Sequence, residues 1–281
     1  MSLIILCYLS LGCIHLECYY SIMHPDIVVK LITLNRQFYQ TFGEAFSATR
    51  QRIQPGVNRI LEKIPDYSAC LDLGCGNGTL ALEWAKRGLR GLYFGLDYSF
   101  ALLGDAQVSI LKADAGELAI RFARADLTEP DWTSILDEAA QLDDKVPGLW
   151  DGILCFATLH HIPSETLRIK LMRQVRMLIK DDGKFYHSEW QFQHSKKLME
   201  RRLSWDTLGI RESDLEDGDT LLDWRHALPE QEEKVGLRYV HLFDREELTR
   251  LAMETGFKII DEFESDGQGG KLALYQTWMA V

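Results

Sequence analysis

Three glycines spaced two apart, Gly74, Gly76 and Gly78, follow the apolar run Ala69-Cys70-Leu71-Asp72-Leu73, with Cys75 and Asn77 between them and a helical pattern just beyond. Glycine has no Cβ, so such a turn can take positive φ and let a ligand lie against the backbone where the helix start leaves its N–H groups free. Asp72 gives the loop its chemical sense, because a carboxylate there attracts a cation or a free amino group and repels a pyrophosphate. The G-x-G-x-G spacing also differs from the G-x-G-x-x-G of dinucleotide folds. Asp97, followed by Tyr98, closes the apolar run Gly91–Leu96, and Asp126, followed by Leu127, closes Arg121–Ala125. Placed at a strand end, Asp97 can accept both hydroxyls of a ribose. Taken singly, each acid reads at least as well as a strand end or helix N-cap. At successive strand-to-helix turns they share one crevice, since ligands of open α/β sheets lie beyond the carboxyl ends of the strands.

A second group of residues could act on a substrate. The apolar segment Trp150–Phe156 runs into Ala157-Thr158-Leu159-His160-His161-Ile162-Pro163. Imidazole titrates near neutrality, so His160 or His161 is a candidate general base; the alternative is that one packs or caps the next helix while the other lines a pocket. Arg50 and Arg238 are candidates for holding an anion, because a planar guanidinium pairs bidentately with carboxylate or phosphate; either could equally make a structural ion pair. Tyr239 and His241 neighbour Arg238 and could shape the same pocket or simply pack.

The elements that must position these residues follow from periodicity. Apolar residues from Val28 to Phe46 recur at helical spacing, and Pro55 opens a second helix through Leu61, so two helices precede the sheet and cover the cleft. Strands near 69–73, 91–96, 120–126, 151–157 and 183–190 alternate with helices near 78–88, 99–118, 131–142 and 164–180. Strict alternation of this kind predicts an α/β fold with a parallel, doubly wound sheet. An amphipathic helix over Asp244–Thr255 and strands near 257–264 and 271–279 complete the chain. Residues 191–237 break the alternation and read as an insertion over the site. The predicted organisation is therefore an apolar extension (1–22), a helical cover (23–65), a binding core (66–190), the insertion and substrate cover (191–237) and the C-terminal part of the core (238–281).

At 281 residues and 46% hydrophobic content the chain can bury a full core. Its formal charge of −11 opposes nonspecific nucleic-acid binding unless positive charge is concentrated locally. Such concentration exists: Arg168–Arg211 holds eleven Lys/Arg against five acids, and Glu212–Glu233 then holds nine acids against one Arg. These runs read either as solvated faces or as a basic contact surface beside an acidic one. The six cysteines include no C-x-x-C pair, so neither a metal site nor a disulfide framework is expected, and a reducing cytoplasm is the natural setting. Leu3–Ile14 is apolar, but no Lys or Arg precedes it and His15 and Glu17 interrupt it short of a membrane span. It reads as an extended start-site or a tolerated extension, with no membrane partner.

The loop Asp72–Gly78 with Asp97 resembles the cofactor motifs of class I S-adenosylmethionine (SAM)-dependent methyltransferases. That resemblance implies a Rossmann-like seven-stranded sheet closed by an antiparallel C-terminal hairpin, with SAM as cofactor. It sets Asp126 beside the adenine amino group and the Phe156–His161 strand end beside the transferable methyl. The Asn/Asp-Pro-Pro-aromatic motif of adenine and glutamine N-methyltransferases is absent there, which argues against such an amine acceptor. Phe46-Ser47-Ala48-Thr49-Arg50, Leu159-His160-His161-Ile162-Pro163-Ser164 with Arg168, Leu221-Leu222-Asp223-Trp224 and Arg238-Tyr239-Val240-His241-Leu242-Phe243 resemble, more narrowly, the tRNA methyltransferases that esterify a carboxymethyl group on wobble uridine. Gln54-Pro55 stands where that family has Trp-Pro, and His187-Ser188-Glu189-Trp190-Gln191 follows its strand-five pattern only loosely. The resemblance implies a tRNA acceptor and a small activator subunit; the residues alone leave open a small carboxylic acid or hydroxylated metabolite, or a SAM-binding subunit without catalysis. A carboxylate acceptor is ionised at neutral pH and needs orientation and desolvation, not a base.

Overall fold

The protein is described by a computed structural model over residues 23–48, 52–113, 115–226 and 234–281; the apolar extension 1–22 and the candidate Arg50 lie outside the described residues. The chain starts with α1 (Pro25–Ala48) and α2 (Pro55–Leu61), then alternates β1 (Ala69–Leu73), α3 (Thr79–Lys86), β2 (Gly91–Asp97), α4 (Phe100–Leu111), β3 (Leu118–Arg124), α5 (Ser134–Leu142), β4 (Trp150–Phe156), α6 (Glu165–Leu178) and β5 (Ile179–Trp190). A short α7 (Lys196–Met199) leads into β6 (Arg202–Leu203), β7 (Asp219–His226) and β8 (Lys234–His241), and α8 (Arg245–Glu254), β9 (Phe257–Ser265) and β10 (Ala273–Ala280) end the chain.

Seven strands form one sheet in the order β3-β2-β1-β4-β5-β10-β9, parallel from β3 to β5 and antiparallel through the β10–β9 hairpin. The order reverses between β1 and β4, which is where such a sheet opens a crevice. β1 and β4 carry near-continuous apolar runs because helices cover both faces of the sheet. One apolar cluster joins Leu71, Phe94, Trp150, Ile153 and Phe185 to α6 and α8; another joins Cys70, Tyr93, Leu154 and Tyr275 to α2 and α3.

The insertion has its own order. β6, β7 and β8 form a separate antiparallel sheet; α1 packs against β8, and its Phe38 and Phe42 meet Trp224 of β7 at 5.7 and 5.3 Å. α1 and the insertion thus form one cover over the crevice. The second cover helix is pinned to the hairpin: Asp266 accepts from the Gly56 N–H at 3.0 Å and from the Tyr275 hydroxyl at 2.6 Å. No helix among the described residues is long and apolar enough to cross a membrane.

Candidate active site

The β1–α3 turn is built around its glycines. Gly74, Gly76 and Gly78 have φ of +79°, +56° and +70°, and their freedom serves different ends. A Cβ on Gly74 would lie 2.2 Å from Thr158 Oγ1, so the absence of a side chain lets the β4 end approach the loop. A Cβ on Gly76 would meet nothing within 4 Å, leaving this part of the loop open to a ligand. Gly78 starts α3 and lies against Ala106 and Phe122, where it permits close packing and does not line the cavity.

The loop borders a cavity of about 290 Å³. Asp72, Gly74, Cys75, Gly76, Asn77, Asp97, Tyr98, Asp126 and Leu127 line it from the cofactor side, and His160, His161 and Arg238 line it from the other. Asp97 is held by the main chain, accepting from Gly76 N at 3.0 Å and Ser99 N at 2.8 Å. Burial nonetheless pushes its carboxyl up to about 6. Asp72 is 3% exposed, and burial pushes it up to about 7 against the opposing hydrogen bond from the Tyr93 hydroxyl. Two desolvated carboxyls beside open backbone suit a ligand that brings positive charge and hydroxyl donors, as SAM does.

Asp126 is clamped by a residue that the sequence reading missed. Arg36 Nε donates to Asp126 Oδ2 at 2.7 Å and its Nη2 to Glu129 at 2.7 Å, while Thr128 donates to Asp126 Oδ1 from both N and Oγ1. At the preceding residue, Tyr98 donates its hydroxyl to the Asn35 carbonyl at 3.1 Å. The Asn35 side chain pairs with the Tyr239 backbone in both directions, accepting from N at 2.8 Å and donating to O at 3.1 Å. α1 therefore links the cofactor side to the insertion. The only sequence signal for this role was polar residues breaking an otherwise apolar helical stripe.

On the acceptor side, the guanidinium carbon of Arg238 lies 4.7 Å from the Trp190 ring centroid and 5.5 Å from that of Phe38. Strand alternation puts Arg238 at the cavity and its neighbours away from it. Tyr239 and His241, which the sequence allowed as pocket residues, do not line the cavity. They bind Asp219 at 2.7 and 2.8 Å, and His241 also meets Glu247 at 3.0 Å. Arg168 joins this group through Glu216 at 2.7 Å and Glu247 at 3.2 Å. So parts of the two charge runs are buried and paired with each other instead of being solvated faces.

His161 is tied at both nitrogens. Nδ1 donates to the Tyr239 carbonyl at 3.1 Å, so Nε2 accepts from the Tyr39 hydroxyl at 2.9 Å. A base role for this ring would require displacing Tyr39. His160 has no exposed surface and stacks on Trp190 with centroids 5.5 Å apart. Its Nδ1 lies 3.0 Å from the Glu189 carboxylate. Ala157, at the β4 end, has φ +52°, an unusual conformation for a residue with a Cβ and one that clusters at functional sites.

A profile of the methyltransferase-domain family matches residues 46–262. A "Putative methyltransferase" of Encephalitozoon cuniculi is 27% identical over 226 residues, covering 80% of this chain and 87% of that protein. The tRNA (carboxymethyluridine(34)-5-O)-methyltransferase of Arabidopsis thaliana is 25% identical over 169 residues, 59% of this chain but only 34% of that longer protein. Among solved structures, a SAM-dependent methyltransferase from Methanosarcina mazei superposes with a TM-score of 0.56 at 18% identity, covering 82% of this chain and 98% of that one. The glycopeptide N-methyltransferase MtfA complexed with SAM superposes with a TM-score of 0.54 at 15% identity, covering 80% and 92%. With the family profile matched over most of its length and the seven-stranded sheet described above, this chain belongs to the methyltransferase-domain family.

Proposed function

We propose that this protein is a SAM-dependent methyltransferase whose acceptor atom is a carboxylate oxygen, and that its substrate is the carboxymethyl group of a modified wobble uridine in tRNA. When bound, SAM supplies an electrophilic methyl on a sulfonium that leaves as a neutral thioether. Asp97 is assigned to the ribose hydroxyls, Asp72 to the positive end of the cofactor, and Asp126 with Leu127 to the adenine. The observation that carries the acceptor reading is Arg238, a residue only 3% exposed whose guanidinium lies near the Trp190 and Phe38 rings at the wall of the cavity that Asp72 and Asp97 also line. A fixed fork of N–H donors orients a carboxylate without taking its charge. In a partly dry pocket the carboxylate also loses some of the hydration that suppresses its nucleophilicity.

The tRNA reading is supported by the relatives named for carboxymethyluridine methylation and by exposed basic residues on the insertion, Lys196, Lys197 and Arg202 with half-buried Arg201. The overall charge of −11 favours a second reading, a small carboxylic acid or hydroxylated metabolite. A distant relative is named as a ubiquinone biosynthesis O-methyltransferase. Cytoplasmic residence is supported by Cys70, Cys75 and Cys155, all buried thiols. The experiment offers labelled SAM with an anticodon stem-loop carrying carboxymethyluridine, in parallel with a panel of aromatic and aliphatic carboxylic acids. Alkali-labile label on the stem-loop supports the tRNA reading. Label only on a small acid replaces it, and alkali-stable label rejects the carboxylate acceptor.

A further inference from the structure

Asn35, Phe38 and Phe42 fall on one face of α1, at positions i, i+3 and i+7, and that face lies on β8. The strand admits the rings because Gly236 has no side chain: a Cβ there would lie 2.6 Å from Phe42 Cε2 and 2.8 Å from the Phe38 ring. Arg238 is two residues further along, on the same side of the strand, with its guanidinium carbon 5.5 Å from the Phe38 centroid. Burial of these rings is favourable but does not by itself fix how far the helix sits along the strand. A polar contact does.

β8 is an edge strand of the β6-β7-β8 sheet, so its outer main-chain groups must be satisfied from outside that sheet. At Tyr239 the Asn35 side chain does this as a neighbouring strand would. Its Oδ1 accepts from Tyr239 N at 2.8 Å and its Nδ2 donates to Tyr239 O at 3.1 Å. Nδ2 also donates to the His161 main-chain oxygen at 3.2 Å, and His161 Nδ1 donates to the same Tyr239 oxygen at 3.1 Å. The reverse orientation of the amide would set its NH₂ against the Tyr239 N–H and its oxygen against two carbonyls, so the network fixes which atom is which. Asn35 is 7% exposed, which leaves little water to replace these partners.

We propose that Asn35 is a positioning residue for the methyl acceptor: its amide locks β8 to the turn after β4 and so sets where the Arg238 guanidinium stands relative to the cofactor loop. The purpose rests on the carboxylate-acceptor reading, whereas the clamp rests on geometry alone. Arg238 adjoins the clamped residue in the chain, so a shift of β8 carries it along. A carboxylate oxygen must approach the methyl in line with the breaking C–S bond, and a misplacement of about 1 Å can cost about a hundredfold in rate. Loss of the clamp therefore slows transfer while Asp72 and Asp97 keep their places at the cofactor.

The test has two arms. Hydrogen exchange of the ligand-free full chain, read by amide NMR, is expected to show Tyr239 N–H exchanging on the order of tenfold faster in Asn35→Ala, while the amides of β1 and β4 keep their wild-type rates. With the carboxymethyluridine stem-loop and saturating SAM, kcat is expected to fall on the order of tenfold, with SAM affinity and the stem-loop KM within about threefold of wild type. Because Asn35 acts through Arg238, adding Asn35→Ala to Arg238→Ala should cost no more than about a further twofold. Wild-type protection of Tyr239 in Asn35→Ala overturns the clamp. Wild-type kcat, or losses that multiply in the double variant as two independent defects would, overturns the positioning role. Should the alanine variant not fold, Asn35→Asp takes its place above neutral pH, where it keeps the shape and the acceptor but neither donor. Tyr239 then stays protected while kcat falls and the cycle stays non-additive, and wild-type kcat or multiplying losses overturn the proposal. No methylation of the stem-loop by wild type refutes the tRNA reading; the exchange arm still decides the clamp, and the cycle moves to whichever small acid is labelled.

Discussion

SAM affinity should rise with pH across the neutral range, and Asp72 sets the slope. In the ligand-free site burial raises this carboxyl to about 7, so near neutrality it is half protonated. A cation binding beside it favours the ionised form. If SAM requires ionised Asp72, apparent affinity scales with the ionised fraction, which rises from about one-tenth at pH 6 to about three-quarters at pH 7.5. The gain is about eightfold, or about 1.2 kcal/mol, and Asp97, raised to about 6, adds a factor of about two. Staying below pH 7.5 keeps the cofactor's amino group largely protonated, since α-amino groups titrate at about 7.7–8.0. Calorimetry in buffers of different ionisation enthalpy should detect the release of roughly one proton at pH 6. The sign for the protein itself is opposite. A carboxyl raised in the folded state favours folding most when protonated, so ligand-free stability falls as pH climbs from the ordinary carboxylate range toward 7, and SAM offsets the loss. Tyr93→Phe removes the hydroxyl that lowers Asp72's pKa and should move the binding midpoint to higher pH. Asp72→Asn should bind about 1–3 kcal/mol more weakly and lose most of the slope. Affinity independent of pH, or an undiminished slope in Asp72→Asn, would refute this reasoning.

Other outcomes follow from the cover and the insertion. Arg238→Ala should lose about 1.5–3 kcal/mol of transition-state stabilisation in single-turnover assays while SAM affinity stays constant; equal losses in both would make Arg238 a structural residue. His241 is raised above the ordinary imidazole range because the Asp219 and Glu247 carboxylates outweigh burial and the Arg168 charge, which push it down. Its stabilising contribution is therefore complete below about pH 6.5 and is lost as pH rises through the raised folded value, a dependence that denaturant melts should show and Asp219→Asn should weaken, Glu247 remaining in place. Gly56→Ala would set a Cβ 2.1 Å from the Tyr275 ring, so denaturant unfolding should show a loss of about 1–3 kcal/mol. If tRNA binds the insertion, neutralising Lys196, Lys197, Arg201 and Arg202 should reduce the salt dependence of filter binding, and an unchanged slope would place the contact elsewhere.

The core was legible because its signals are local. Apolar runs ending in Asp97 and at Phe156 gave strands almost to the residue, and the glycine turn gave the crevice. Boundaries that depend on tertiary packing were less visible: the helix expected over 99–118 ends at Leu111, and β3 starts at Leu118. β5 reaches back to Ile179, into residues read as helix, where Ile179 pairs with Trp150 of β4 ahead of a register shift between Trp150 and Gly152. The insertion showed no usable period, since Asp219 and Asp223 are buried within β7 beside Leu221 and Leu222. Burying acids on a strand requires partners such as Tyr239 and His241, and the pairings span some twenty residues. Arg36, Asn35 and Tyr39 escaped notice for the same reason. Their partners Asp126, Tyr239 and His161 are 90 to 204 positions away in sequence.

The most direct measurement is mass spectrometry of the carboxymethyluridine stem-loop after incubation with wild-type enzyme and methyl-labelled SAM, with Arg238→Ala and Asp97→Ala alongside. The account predicts one labelled methyl on the nucleoside carboxylate, removable by mild alkali, with transfer weakened in Arg238→Ala at saturating SAM and cofactor binding weakened in Asp97→Ala. A label that resists alkali, or transfer that proceeds at the wild-type rate without Arg238, would contradict it.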